Sequence, residues 1–367
     1  MLGRAYKALL HAAWLLSKGL LTRVTLVRGR LKAGGVELNC MFVAPGIFAE
    51  RILLWLFSEP PTILEQRRLF TPLLRSFLKQ SAPRFDICIT SLAKEYNFIV
   101  RPIATYSGQS SVDQKIDTSE GWDGVRKHVS RRYRKRIENF EIRCGLKCTV
   151  SEDPSDLITF YHQMYLPNSA VRFGKLAVTN ELSQMQAFLK RDGFLLFVTL
   201  NGEKIAGVLC RVEKKCLTGY RCGVLNGDEK LLECGAMTAV YYYMVDYAAK
   251  NCLRELDILD SRPFLNDGVY RYKGSWGAAA VPFEDKYVRT IHYICGARTH
   301  EVASFFHACP TIVMNHGSLQ AIIGHPDDAV LTDAEVSRII KSYYTSGIQS
   351  AEILTASGAK LMVQLPN

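Results

Sequence analysis

No run of apolar residues in the sequence reaches the roughly eighteen that a helix needs to cross a bilayer. Several enzyme signatures are absent as well. There is no Gly-x-x-x-x-Gly-Lys phosphate loop, no Gly-x-Gly-x-x-Gly dinucleotide fingerprint, no Gly-x-Ser-x-Gly elbow and no His-Glu-x-x-His zinc site. No segment recurs at the period of a repeat protein. Acidic residues are the minority, 35 against 46 Lys and Arg, for a net charge of +11. That balance favours anionic partners: phosphate groups, nucleic acid or a negatively charged membrane face. The 11 cysteines are odd in number and lie mostly within apolar runs, which points to reduced cytosolic thiols and not a disulfide framework. Cys144 and Cys148 form the one close pair. No second Cys or His pair stands at metal-site spacing, so no metal is expected.

What is present describes a globular chain. A hydrophobic content of 48% and 367 residues suffice for two cores. The N-terminal "YKALLHAAWLLSKGLLTRV" carries Lys7, His11 and Lys18 and lacks a small-residue cleavage site, so it makes a poor signal peptide. Its pattern fits a helix docked on the protein's own core, or a basic amphipathic helix on an anionic membrane surface. The expected location is the cytoplasm, with peripheral contact at the inner face of the membrane under the second reading. The apolar "IFAERILLWLF" fits either.

Along the first 108 residues, "VELNCMFVA", "FDICITSL" and "NFIVRPIATY" read as strands and "TPLLRSFLKQ" as a helix. The polar "SGQSSVDQKIDTSE" reads as a linker. A long helix is expected after Thr118 or Ser119, with Trp122, Val125, Val129, Tyr133, Ile137 and Phe140 as its buried stripe. Its other faces carry Arg126, Lys127, Arg131, Arg132, Arg134, Lys135 and Arg136. The strand "LKCTVSE", helices from Pro154 and near "NELSQMQAFLKR", and a three-stranded meander turning at Asn201-Gly202 follow. After the loop "LNGDEKLLECG" come the helix "AMTAVYYYMVDYAAKN", the strand "LRELDILD", the segment "GVYRYKGSWGAAAVPF" and the strand "DKYVRTIHYI". The tail adds the strand "PTIVMN", a helix from Thr332 or Asp333 and two short strands.

Three groups of residues carry candidate chemistry. On "LRELDILD", Asp257 and Leu259 should share one face and Ile258 and Asp260 the other. A carboxylate on so apolar a strand needs a partner: a substrate ammonium for which it is the base, or a salt bridge with Arg254, Arg262 or Lys273. Lys273 lies between Tyr272 and Trp276, suited to a phosphate or a developing oxyanion, or to neutralising Asp257, with the two rings as apolar walls. The dense positive face, with Arg132 and Arg136 four residues apart, suits phosphate contact or simple solvation.

The order of these elements is similar to that of FemAB-like acyltransferases, within the GCN5-related N-acetyltransferase (GNAT) superfamily. The resemblance runs from about Trp122 to Pro282. It rests on the basic segment "VRKHVSRRYRKRIENFEIRCGL", the hairpin "LNGEKIAGVLCRV", the glycine-opened helix "ECGAMTAVYYYMVDYAAK" and the cluster Tyr272-Lys273-x-x-Trp276. It implies an α+β, GNAT-like fold of two related lobes with mixed central sheets. The lobes would be residues 1–115, an N-terminal lobe, and 116–295, the transferase domain, with 296–367 a C-terminal extension packing on the N-terminal lobe. The fold implies that two central strands splay to receive an acyl donor. Backbone N–H groups at the next helix, opening at Gly235 and Ala236, would face an anion; a plain helix start is the other reading.

The implied activity is transfer of an acyl group from acyl-CoA or an acyl carrier protein, with no tightly bound cofactor, to an amine. Asp257, Asp260 and Lys273 would be catalytic, and Arg132, Arg136, Gly235 and Ala236 would meet the donor. Tyr272, Trp276, Tyr220, Tyr165, Asn168 and Arg172 would meet substrate, although loop hydrogen bonding also accounts for the last three. The apolar N-terminal segments and the tyrosines of "VYYYMVDY" point to an amphiphilic acceptor or a long acyl chain, such as an amino sugar or sphingoid amine in bacterial envelope synthesis as acceptor. The usual coenzyme A loop is missing from "GVLNGDEKLLECGAM". That keeps two alternatives open, an aminoacyl-tRNA donor or a non-catalytic anion-binding member.

Overall fold

The computed structural model describes residues 20–44, 52–53, 56–92, 94–135, 145–174, 177, 179–283, 289–327 and 331–365. The N-terminal amphipathic segment as far as Gly19 and most of "IFAERILLWLF" therefore lie outside the described residues; the end of that segment, Leu21–Val24, is strand and not helix. The chain forms two units: one holds the residues up to Val112, Arg262–Tyr270 and those from Pro282 onward, the other Asp113–Ser261 and Arg271–Val281.

The first unit contains two mixed sheets. β1 (Leu21–Arg30), β2 (Glu37–Val43), β3 (Thr62–Phe70), β4 (Ile87–Ser91), β5 (Tyr106–Gln109) and β13 (Thr290–Cys295) form one, in the order β3-β1-β2-β4-β13-β5. β14 (Thr311–Asn315), β15 (Ser318–His325), β16 (Ser350–Thr355) and β17 (Lys360–Gln364) form the other in sequence order. Alternate residues of β4 serve opposite layers: Ile87 and Ile89 join a cluster with Phe305 and Phe306, while Cys88 joins one with Leu74 and Leu78.

The second unit is built on one sheet, β12-β6-β11-β10-β9-β8-β7. Its strands are β6 (Val112–Asp117), β7 (Leu146–Ser151), β8 (Gly193–Leu200), β9 (Glu203–Glu213), β10 (Cys216–Val224), β11 (Glu255–Ser261) and β12 (Ala279–Pro282). The run "GFLLFVTL" of β8 is apolar but for Thr199 because both its faces are covered. Phe194, Leu196 and Val198 pack with the helix Ala236–Lys250, while Leu195 and Phe197 pack under Phe160, Met164 and Met185. Each such side chain contributes about 1.5–3 kcal/mol on burial. Asn201 and Gly202 turn β8 into β9 with φ of 52° and 88°, the left-handed pair a tight hairpin requires.

Four expectations are corrected. "SGQSSVDQKIDTSE" is no linker: it supplies part of β5 and all of β6, with Val112, Gln114 and Ile116 buried. "NFIVRPIATY" opens as the short helix Asn97–Val100, which buries Ile99 and Val100, and becomes strand only at Tyr106. The long basic helix is broken. Its first piece, Gly121–His128, ends where Val129 turns extended and the Ser130 N–H donates to the Ser275 carbonyl at 2.8 Å. Thr118 does not cap it; its hydroxyl donates to the Leu253 carbonyl at 2.9 Å. The boundary at 295 also moves, since β13 pairs with β4 and β5 and so belongs to the first unit together with the C-terminal strands. No described helix is long and apolar enough to cross a membrane. The ten described cysteines are free thiols, and Cys144 lies outside the described residues.

Candidate active site in the second unit

β10 and β11 run parallel, but only Cys216, Leu217 and Thr218 pair, with Glu255, Leu256 and Asp257. Beyond Thr218, β10 keeps its ladder with β9 as far as Val224, while β11 runs on to Ser261. The sheet thus opens between two central strands. Two irregularities mark the opening. The β10 register with β9 shifts between Gly219 and Arg221, a bulge at Tyr220. On β11, Leu259 has φ of 62°, a left-handed conformation that costs a non-glycine residue about 1–2 kcal/mol.

That conformation overturns the simple alternation expected for Asp257 and Leu259. Instead of pairing with Arg254, Arg262 or Lys273, the Asp257 carboxylate accepts the Leu259 N–H at 2.7 Å and holds the turn. Arg262 faces Asp267, with 3.8 Å between charged atoms.

Lys273 comes from the helix Gly268–Gly274 and is only 5% exposed. Its Nζ donates to the carbonyls of Leu259 at 2.9 Å and Asp260 at 2.8 Å, just past the last pair of the β10–β11 ladder. Among the described residues it forms no ion pair. Burial lowers its pKa to about 8, against the opposing influence of Asp260, Cys222, Asp257 and Asp113. Cys222 lies on the separated half of β10, so the ammonium stands at the opening itself.

Asp113 on β6 was not anticipated. Burial, then the charges of Asp257 and Asp260, push its pKa to about 7, with Lys115 and Lys273 opposing. Lys115 is itself paired with Glu255 at 2.8 Å. The signal was available in "SVDQKID", where period-two alternation places Asp113 and Lys115 on one face. An acid tuned near neutrality beside a lysine tuned toward it is a pair able to exchange protons with a substrate.

The structure disperses the remaining candidates. Trp276 is fully buried and stacks with Tyr241 at 5.6 Å, while Tyr272 meets Tyr241 edge-on at 5.0 Å and Tyr133 at 5.6 Å. Trp276 is thus a core residue that anchors the segment carrying Lys273, not a wall of an open pocket. Tyr165 and Tyr220 are tied to Asn180: the Tyr165 hydroxyl accepts its N–H at 2.9 Å and the Tyr220 hydroxyl its Nδ2 at 3.0 Å. Arg221 donates from Nε to Asn180 Oδ1 at 2.6 Å. Asn168 is buried with its Oδ1 unpartnered among the described residues, on the helix Leu166–Phe173 that follows a π-helical turn at Tyr161–Tyr165. Arg172 on that helix acts electrostatically on Cys222 and Tyr241.

Gly235 caps the helix Ala236–Lys250 with φ of 95°, and no side chain caps its first turn, where Ala236 is fully buried. Arg132 is exposed, and Arg136 lies outside the described residues. The opening and the buried lysine therefore come together, with Asp113 acting on Lys273 electrostatically.

The second unit has the antiparallel meander, following helix and partly unzipped parallel strand that the resemblance to GNAT-type acyltransferases implied. No family model and no curated protein sequence matches the chain. Among solved structures, similarity is found to FemX, at 11% identity over 76% of this chain and 86% of that one, with a TM-score of 0.40. L-PGS from Bacillus licheniformis aligns at 10% identity, covering 77% and 88% of the two chains, with a TM-score of 0.37. A GCN5-related N-acetyltransferase from Kribbella flavida aligns at 11% identity, covering 79% and 96%, with a TM-score of 0.26.

Proposed function

We propose that the protein transfers an acyl or aminoacyl group to an amine, at the opening between β10 and β11. The observation that carries this reading is the buried, unpaired ammonium of Lys273 at the point where the parallel ladder ends. A carbonyl lodged there meets a fixed positive charge where an oxyanion would form. Asp113, with a pKa of about 7, takes the proton that the incoming ammonium must lose. The amine lone pair then attacks the carbonyl carbon, and collapse of the tetrahedral adduct expels a thiolate or a ribose oxygen. Lys273 gives a proton to that leaving group and is reprotonated by the surplus proton of the adduct nitrogen, which leaves the neutral amide.

Two donors fit this chemistry. A thioester of coenzyme A or a carrier protein is the first. The second, an aminoacyl ester of tRNA, is favoured by one observation: Lys273 already occupies carbonyls of β11 at the opening, leaving less room for a pantetheine arm. The net charge of +11 agrees with it. The test is to incubate the full chain with a ladder of acyl-CoAs, and separately with charged tRNA, each with a pool of amines. Consumption of one donor that Lys273→Ala and Asp113→Asn slow by about a hundredfold or more is expected. If neither donor is consumed above the level of those variants, the reading is wrong.

A further inference from the structure

In the first unit, the six-stranded sheet ends on a strand that the core does not cover. β3 is its outer strand, and none of the nine residues of β3 is buried. Alternation divides β1 and β3 between two layers. Val24 and Leu26 join the cluster around Leu74 and Leu78, and Leu69 of β3 packs against it. On that side Arg67 is satisfied: it pairs with Glu65 at 2.7 Å and lies 4.3 Å from the centre of the Phe77 ring.

The opposite face is unlike it. Leu21 stands directly across from Phe70, and two residues along, Arg23 stands directly across from Arg68. Side chains so placed are neighbours on one face. Leu21 and Phe70 are 52% and 45% exposed, an apolar pair left in water. Arg23 and Arg68 are exposed as well, and neither forms an ion pair or side-chain hydrogen bond among the described residues. Like charges directly opposite one another destabilise a sheet, so this pair calls for an anion between them. The next pair in the row supplies none: Gln66 Nε2 donates to Thr25 Oγ1 at 3.3 Å.

The corner where β3 ends extends this character. The Thr71 N–H donates to the Leu20 carbonyl at 2.8 Å, and Leu73, in the tight turn that Thr71 opens, is 57% exposed. Single exposed apolar residues are ordinary, but Leu21, Phe70 and Leu73 gather beside two unneutralised cations. The sequence enters the same corner at Leu20 from "YKALLHAAWLLSKG", apolar with Lys7 and Lys18, and the first acidic residue of the chain is Glu37.

We propose that this corner of the first unit is a docking surface for an anionic lipid bilayer. Arg23 and Arg68 share the charge of lipid headgroups, while Leu21, Phe70 and Leu73 enter the boundary between headgroups and acyl chains. A second copy of the chain is a poorer occupant, because a two-fold contact brings the same two cations together again. Nucleic acid would satisfy the arginines but leave Leu21 and Leu73 without an apolar partner. The proposal does not depend on the transfer reaction.

The test is flotation of the full chain with vesicles of phosphatidylcholine alone and of phosphatidylcholine with about 30% phosphatidylserine. The parent should partition onto the anionic vesicles at least about tenfold more strongly than onto the neutral ones. Arg68→Glu places a carboxylate opposite Arg23, so it should unfold at the same or a higher urea concentration. It should nevertheless bind anionic vesicles about tenfold or more weakly, a loss that unfolding does not explain. Phe70→Ser should weaken binding about fivefold or more, and this loss should persist in high salt, where the arginines are screened. Lys214→Glu makes the same charge change at the exposed turn between β9 and β10 and should bind like the parent. The proposal is overturned if the parent does not float with anionic vesicles or floats equally with neutral ones. It is overturned too if Arg68→Glu or Phe70→Ser floats like the parent, or if Lys214→Glu loses as much as Arg68→Glu. Titration with unfractionated tRNA covers the other polyanion: RNA binding that Arg68→Glu weakens, without vesicle binding, would overturn it in favour of nucleic acid.

Discussion

The carboxylate of Asp257 accepts the backbone N–H of Leu259 at 2.7 Å, and Leu259 is held at φ 62°. A strained residue and the acceptor that stabilises it thus stand on the strand whose carbonyls receive Lys273. The strained residue follows closely on Asp257, the last β11 residue paired with β10, where the opening begins.

Removing that acceptor should be costly, and glycine should recover part of the loss. Asp257→Ala is expected to destabilise the protein by about 1.5–3 kcal/mol in urea unfolding, the range for hydrogen bonds to charged groups. Leu259→Gly in the same background should restore about 1 kcal/mol, because glycine adopts positive φ freely. Additive losses in the double variant would mean that the turn does not depend on Asp257.

The two shifted groups at the opening predict the pH dependence of transfer. Asp113 must be ionised and Lys273 protonated, so activity should peak between about 7 and about 8, the pKa values that burial gives them. Asp113→Asn should reduce kcat by about a hundredfold or more, the usual share of a general base. The residual activity should lose its acidic limb. An unchanged acidic limb would assign the base elsewhere.

Stability should carry the Asp113 signature independently of activity. Its folded pKa of about 7 lies above the ordinary 3.8. Between those values the folded state therefore binds more protons than the unfolded chain, and stability falls as pH rises. Melting temperatures of Asp113→Asn and parent should diverge in favour of the variant as pH climbs from about 4 to 7. They should stay parallel above that window. A constant difference at every pH would show that the carboxyl is not buried against like charges.

Gly223 tests the packing behind the opening. A Cβ there would come within 2.5 Å of the Met164 carbonyl carbon and 2.7 Å of the Tyr165 N, both backbone atoms that have little freedom to yield. Gly223→Ala should cost about 1–3 kcal/mol by overpacking. It should also disturb the π-helical turn, seen as loss of hydrogen-exchange protection at Tyr161–Tyr165. Normal stability in this variant would contradict the close approach.

Periodicity and turn chemistry specify much of this molecule locally. The apolar run of β8, the Asn201-Gly202 hairpin and the Thr332 cap before Asp333–Tyr343 act over a few residues, so they are legible in the sequence. The position of Lys273 between aromatic residues is legible there too, but its burial and its bonds to the Leu259 and Asp260 carbonyls are not. Other outcomes depended on distant partners. β6 looked like a linker because its polar residues, Gln114 among them, are covered by elements far along the chain; the Ser261 hydroxyl reaches Gln114 at 2.7 Å. The basic helix breaks because Ser130 bonds Ser275, 145 residues away. The alternation of Asp257 and Leu259 fails at one positive φ that Asp257 stabilises. Local sequence sets which residues can be strand, turn or helix. Only the tertiary structure decides which polar groups are buried together, because desolvation and charge depend on neighbours in space and not in sequence.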